Sequence, residues 1–224
     1  MHTAVMTAEA VCILNLMVLL FSMLFRKKTQ RTSVAFIICL GVAAIGTGMD
    51  LLSYVLEQTS AGSFWLITVN MLSFFGYDFE LMAFALYVWA IVAEKGKAPL
   101  SFVRFIGALC LADILFIIIG TVTGKLFRIE GGYFVTGPWY DLGGVTGFIV
   151  LVSLLAFSIR KTGTVGRTPV IFTLIFFVFT YISIFITLFT GIDSYMYVCM
   201  SLIMLLVYII LQTSYNNLSI FYIF

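Results

Sequence analysis

Apolar residues fill this chain in seven long stretches, at about 5–25, 33–56, 64–93, 102–123, 141–159, 169–190 and 195–212. A helix needs about 20 apolar residues to cross a bilayer. The pattern therefore predicts an all-α membrane protein, a seven-transmembrane helix bundle. The 224 residues allow one membrane domain over 1–212 and a short apolar tail over 213–224, with no room for a soluble domain. The gaps are short. Glu57 to Ser63 forms the second, and a tight turn around Gly191-Ile192-Asp193-Ser194 forms the sixth. Only the fourth gap, Gly124 to Tyr140, is substantial. Its Gly131-Gly132 pair lies between two Phe/Ile/Tyr/Val-rich runs, which predicts a short β-hairpin over one mouth of the bundle. Pro99 and Pro138 fall in gaps, and Pro169 falls at the first turn of a span, where its missing N–H costs little.

Charge orients these spans. Ten of the twelve Lys and Arg residues sit in alternate gaps. Arg26, Lys27, Lys28 and Arg31 fill the first gap, Lys95, Lys97 and Arg104 the third, and Arg160, Lys161 and Arg167 the fifth. Lys125 and Arg128 are the exceptions, both in the fourth gap. Cytoplasmic loops retain Lys and Arg. The expected topology has the N-terminus and the Gly124–Tyr140 loop outside and the C-terminus cytoplasmic. The first stretch lacks a basic n-region and is followed by Arg26-Lys27-Lys28, so it is expected to remain as a span rather than to be cleaved as a signal peptide.

Composition agrees. The chain is 62% hydrophobic and 10% charged, with mean hydropathy +1.16. Soluble domains carry about 25% charged residues. A net charge of +2 gives no reason to expect nucleic-acid binding. The four cysteines, Cys12, Cys39, Cys110 and Cys199, lie within apolar stretches without metal-ligand spacing.

The chemical inventory is narrow. His2 is the only histidine and sits at the N-terminus. Intramembrane His-based metal sites, Ser/His and Cys/His pairs and HExxH proteolysis are thereby excluded. No GxxxxGK[ST] loop is present, and Lys161 is the last lysine, so the seventh stretch cannot carry a retinal Schiff base. The expectation is a protein without enzymatic activity, catalytic residues, metal or cofactor.

Acids remain. Asp78 and Glu80 fall near the middle of the third stretch, Asp113 near the middle of the fourth and Asp50 toward the outer end of the second. Apart from Arg104 in the first turn of the fourth stretch, no Lys or Arg lies within a span, and none lies at mid-depth to pair with them. An unpaired charge at mid-bilayer costs about 2.5–3.5 kcal/mol on insertion scales. These groups must face a polar interior, hydrogen-bond as neutral acids, or bind something. At 100° per residue, Asn70, Ser73, Tyr77, Glu80 and Tyr87 share one side of the third stretch, whereas Asp78 falls among Met71, Phe74, Met82 and Trp89. The stripe makes Glu80 the leading candidate to hold a proton or a cationic ligand, with Asn15 able to join it. Asp50 reads more readily as a strut, and Asn15 and Asn70 as interhelical hydrogen-bonders. Trp139 and Tyr140 fit interface anchors, and with Asp50 they are expected to line a pocket beneath the external loop. Gly143 with Gly147, and Ala44 with Gly48, give small-xxx-small faces for close packing within the chain or for a homodimer seam.

Several segments carry a family resemblance. Met49-Asp50-Leu51-Leu52-Ser53-Tyr54, Asn70-Met71-Leu72-Ser73-Phe74-Phe75, Thr123-Gly124-Lys125-Leu126-Phe127-Arg128-Ile129, Tyr133, Gly137-Pro138-Trp139-Tyr140 and Leu206-Val207-Tyr208-Ile209-Ile210-Leu211-Gln212 occur in that order over nearly the whole chain. Together they resemble the seven-helix sensor modules that precede GGDEF diguanylate cyclase domains, or histidine kinase domains, in bacteria of the Firmicutes type. The resemblance implies a plasma-membrane receptor that detects a small-molecule or ion signal and passes a conformational change through the seventh helix to a cyclase or kinase. The sequence departs from the family after Gln212, where only twelve residues follow. The expectation is a truncated receptor, or a module acting through a cytoplasmic partner. The alternative is a small-solute or cation/proton-coupled carrier or pore. A carrier made of two three-helix repeats is disfavoured, because no repeat is visible and the spans contain no interior proline.

Overall fold

The computed structural model describes residues 2–25, 31–59, 62–96, 98–190 and 198–210. Arg26, Lys27, Lys28, Lys97, the turn at 191–194 and the tail, with Gln212, lie outside the described residues. The elements are α1 (His2–Leu24), α2 (Arg31–Gln58), α3 (Ser63–Lys95), α4 (Leu100–Val122), β1 (Phe127–Glu130), β2 (Tyr133–Thr136), a 3-10 turn (Tyr140–Leu142), α5 (Gly143–Val165), α6 (Thr168–Thr190) and α7 (Val198–Ile210). Five helices are long and apolar enough to cross a membrane, and two further helices are apolar but shorter over the residues described. This is an all-α bundle of membrane type. Its outer surface is apolar at helical spacing, as with Leu111, Leu115 and Ile119 on α4.

One helix is different. Two thirds of the most apolar 18-residue stretch of α3 is buried (67%), against 22–39% for the corresponding stretches of the other long helices. It packs against α2, α4, α5 and α6, so it is the central post. The core gathers around it. Phe84 stacks on Phe176 of α6 with ring centroids 4.0 Å apart, and Tyr87 lies 5.6 Å from Phe36 of α2 and 6.0 Å from Phe172 of α6. Helices α2 and α3 approach closely, backbone to backbone. A Cβ on Gly76 would sit 2.9 Å from the Cα of Gly46. The Ala44/Gly48 pair expected to make such a seam is not its closest point, since a Cβ on Gly48 would meet nothing within 4 Å.

Hydrogen bonds fix the helix directions. Asn15 Nδ2 donates to Ser201 Oγ (2.8 Å), and Ser22 Oγ and Tyr208 Oη are 2.5 Å apart. Both partners advance together, so α1 and α7 run parallel. The N-terminus of α2 meets the C-terminus of α3, where the Thr32 N–H and hydroxyl both donate to the Glu94 carboxylate (2.8 and 2.7 Å). Glu94 thus caps α2 from a neighbouring helix, satisfying an end that would otherwise carry orphan N–H groups. Arg31, Lys95, Arg104, Arg160, Lys161 and Arg167 lie at the end of the bundle opposite the hairpin. Helix α5 runs to Val165, six residues past its expected end at 159, carrying Arg160 and Lys161 as its last turns. Long basic side chains can extend a span because their stems remain in apolar surroundings while the charge reaches water.

The expected hairpin is present. Phe127 pairs with Thr136 and Glu130 with Tyr133, in antiparallel register. Gly131 (φ 60°) and Gly132 (φ 87°) make the two-residue turn, which requires positive φ at both positions. The hairpin is seated on the bundle. Leu126 and Phe127 are buried with Ile117 of α4, and Phe127 stacks on Phe74 of α3 at 5.7 Å. Glu57, at the end of α2, accepts a hydrogen bond from the Phe134 N–H (3.1 Å).

Candidate functional site

The polar groups of α3 do not form one stripe. Nearest the hairpin, Ser73 Oγ donates to Asp50 Oδ1 (3.1 Å), which joins α3 to α2. Asp50 thus ties two helices near the mouth. Asn70 donates to the Leu66 carbonyl of its own helix (2.8 Å) rather than across to a neighbour.

Mid-helix, the acids point in different directions. Asp78 is fully buried (0% exposed) and faces Asp113 of α4, itself 5% exposed. Asp113 Oδ1 accepts a hydrogen bond from the Thr146 hydroxyl of α5 (3.0 Å). The expectation that Asp78 lies apart from the polar interior is therefore corrected. Residues 78 and 80 are about 200° apart on a helix. On a helix with one interior face they could not both be buried. On a central helix they can, and Glu80 (3% exposed) lies within electrostatic reach of Cys39 of α2.

Tyr77 lies among these groups. Its phenol is close enough to Asp78, Glu80, Asp113 and Tyr181 of α6 to interact with each electrostatically. Its position is set by Gly147 of α5, where a Cβ would stand 2.6 Å from the Tyr77 hydroxyl oxygen. Of the expected Gly143/Gly147 pair, only Gly147 makes such an approach, and it does so within the chain. A Cβ on Gly143 would meet nothing within 4 Å.

Other expected members fall elsewhere. Asn15 does not join Glu80 but bonds Ser201 of α7. Tyr87 belongs to the aromatic core with Phe36, Phe84 and Phe172. Trp139 stacks on Phe116 of α4 (5.6 Å), with Lys125 Nζ 4.6 Å from its ring centroid. Tyr140 sets its ring edge-on to Phe74 and Phe134, at 6.1 and 6.0 Å. Trp139 and Tyr140 thus anchor the hairpin, whose buried Leu126 and Phe127 occupy the space beneath it. Thr146, Gly147 and Tyr181 were missed in the sequence. Gly147 had a visible signal, but as a helix-packing motif. Thr146 had none beyond being a hydroxyl in an apolar stretch.

Chemically, this centre offers carboxyls and hydroxyls and no cationic side chain among the described residues. Neither oxygen of Asp78, nor Glu80 Oε1, meets a hydrogen-bond donor among the described residues. Among those residues no group of three or more His, Cys, Asp or Glu is arranged to hold a metal ion. No family model, curated protein or solved structure matches the chain.

Proposed function

We propose that the chain is a seven-span sensor module of the bacterial plasma membrane. Its N-terminus and hairpin lie outside, and its seventh helix carries a conformational change to a cytoplasmic cyclase, kinase or other partner. The collection of basic residues at the end opposite the hairpin supports this orientation.

The observation that carries the reading is how α7 is held. Asn15–Ser201 and Ser22–Tyr208 tie it to α1 through neutral polar bonds. Such bonds average about 0.6 kcal/mol in a membrane. Two of them amount to about 1 kcal/mol, which a ligand with a typical allosteric coupling of about 1–3 kcal/mol can overcome. These bonds fix the direction of the helix leading to the C-terminus and by themselves add little to the cost of shifting it. A ligand moves it only by binding one arrangement better than the other.

The test is a chimera carrying a diguanylate cyclase after Gln212. Cyclase output should change when Asn15→Ala and Ser22→Ala loosen α7. Output that ignores both substitutions, singly and together, refutes the sensor reading. A second reading, a cation- or proton-coupled carrier, draws on the unneutralised acids Asp78, Asp113 and Glu80. Ion flux in proteoliposomes that is abolished by Asp78→Asn would favour it.

A further inference from the structure

We propose that Asp78 and Asp113 form a binding site for a single proton, shared between their carboxyl groups, which locks α3 to α4 in one state of the bundle. This deepens the sensor reading and rests on it, for it names the proton as the ligand.

The argument starts from what surrounds Asp78. Its carboxyl is fully buried, and neither oxygen meets a donor among the described residues. The group it faces, Asp113, offers further acceptors. Two carboxyls can bond each other only if one keeps its proton, because a carboxylate accepts and does not donate. Like charges sharing a buried site cannot both ionise without a large penalty. A proton between the two oxygens supplies the missing donor and removes one charge at once.

The neighbours suit a proton better than a metal. From α3, Tyr77 faces the pair; from α4, Cys110; from α5, the Thr146 hydroxyl; Glu80 and, from α6, Tyr181 lie beyond, next to Tyr77. None carries positive charge. Thr146 donates to Asp113 Oδ1, which marks Asp113 as the member better able to hold the charge, and Asp78 as the one to hold the proton. Calcium needs 6–8 oxygen ligands and magnesium a near-ideal octahedron. Two carboxyls, a threonine and a tyrosine fall short of either.

The site is also placed to act. Tyr77 is seated against Gly147, so α3, α4 and α5 meet at the pair. With the proton present, α3 and α4 are joined by an acid–acid bond. Its loss sets two buried charges side by side and drives the helices apart or admits water.

The test is infrared spectroscopy of the full chain in lipid bilayers, in the stretching region of protonated carboxyls. Difference spectra against Asp78→Asn and against Asp113→Asn should each show the loss of the same band. Separate bands for the two variants, or no loss in either, overturn the proposal. Thr146→Ala, which keeps both acids, should retain that band at a shifted frequency, and an unshifted band counts against it. Titrating sodium at fixed pH should leave the band intact. Its disappearance identifies an alkali-cation site and overturns the proton assignment. Dichroism of the amide bands in the same samples reports helix orientation independently. Helices lying flat would overturn the membrane-spanning reading and this proposal together. Upright helices without the shared band would overturn this proposal alone.

Discussion

The seat of Tyr77 on Gly147 gives a sharp test of the interior. In Gly147→Ala the new Cβ would stand 2.6 Å from the Tyr77 hydroxyl oxygen and 3.1 and 3.2 Å from two of its ring carbons. Three atoms of one ring are met at once. A simple rotation of the hydroxyl hydrogen cannot relieve this, because the heavy atoms themselves overlap. Overpacking of this kind costs about 1–3 kcal/mol. Replacing a mid-helix glycine by alanine returns about 0.5–1 kcal/mol. The expected net loss is then about 0–2.5 kcal/mol, centred near 1 kcal/mol. Gly48→Ala supplies the control. Its Cβ meets nothing within 4 Å, so only the favourable term applies, and the variant should be neutral or up to about 1 kcal/mol more stable.

The two substitutions are chemically identical and should differ in sign. Denaturant unfolding in mixed micelles, followed by tryptophan fluorescence, measures both. Tyr77→Phe in the Gly147→Ala background removes the closest atom, while the 3.1 and 3.2 Å ring contacts persist. Recovery should be partial, with a coupling energy of about 1 kcal/mol in the double-mutant cycle. If Gly147→Ala behaves like Gly48→Ala, or if the cycle closes with no coupling, Tyr77 does not occupy this seat and the interior is assembled differently.

Other expectations are more local. In a cysteine-free background, thiols at positions 15 and 201, and at 22 and 208, should cross-link on oxidation, whereas 15 with 208 should not; the reverse outcome would make α1 and α7 antiparallel. A thiol introduced at Gly132 should react with an impermeant reagent from outside, and one at Gly163 only after the membrane is opened; labelling of Gly163 from outside sinks the topology. Glu94→Ala removes the acceptor of both Thr32 donors, and with Glu94 exposed the cost should be about 1 kcal/mol, read as a lowered unfolding midpoint; no change would mean water replaces the cap fully. Gly76→Ala directs its Cβ at backbone, the Gly46 Cα, which cannot swing aside, so it should destabilise at least as much as Gly147→Ala in the same unfolding assay.

What the sequence made legible follows from which forces act along the chain and which act between helices. The apolar stretches are local in sequence, and the first five fall on long apolar helices while the last two fall on shorter apolar helical runs, Pro169–Ser183 and Val198–Ile210, among the described residues. The hairpin was legible because two adjacent glycines meet the φ requirement of a two-residue turn. The small-residue seams were half legible. Gly147 does mark a close approach, to a side chain, but Gly46 and Gly76 bring two helix backbones together, and nothing local distinguishes Gly46 from Gly48. That distinction depends on the rotation of α2 about its axis, which the partner helix sets.

The acids show the same limit more sharply. In a soluble protein the polar side of a helix faces water, so a single stripe on a wheel is informative. In a membrane bundle the outward side is apolar as well, and a wheel can identify an interior stripe only if the helix has one interior side. Helix α3 has several, because it packs on α2, α4, α5 and α6. Asp78 and Glu80 are therefore both interior, on different sides, with exposed Phe79 between them. The sequence did hold one clue to this. A wide polar arc at mid-depth on a long apolar helix implies that the helix packs against more than one neighbour. Asn70, Ser73, Tyr77 and Glu80 span about 80° of the wheel at 100° per residue, and Asp78 widens the polar arc to about 160°. Read that way, the acid outside the stripe identifies the central helix, and its burial directs attention to the facing carboxyl on α4.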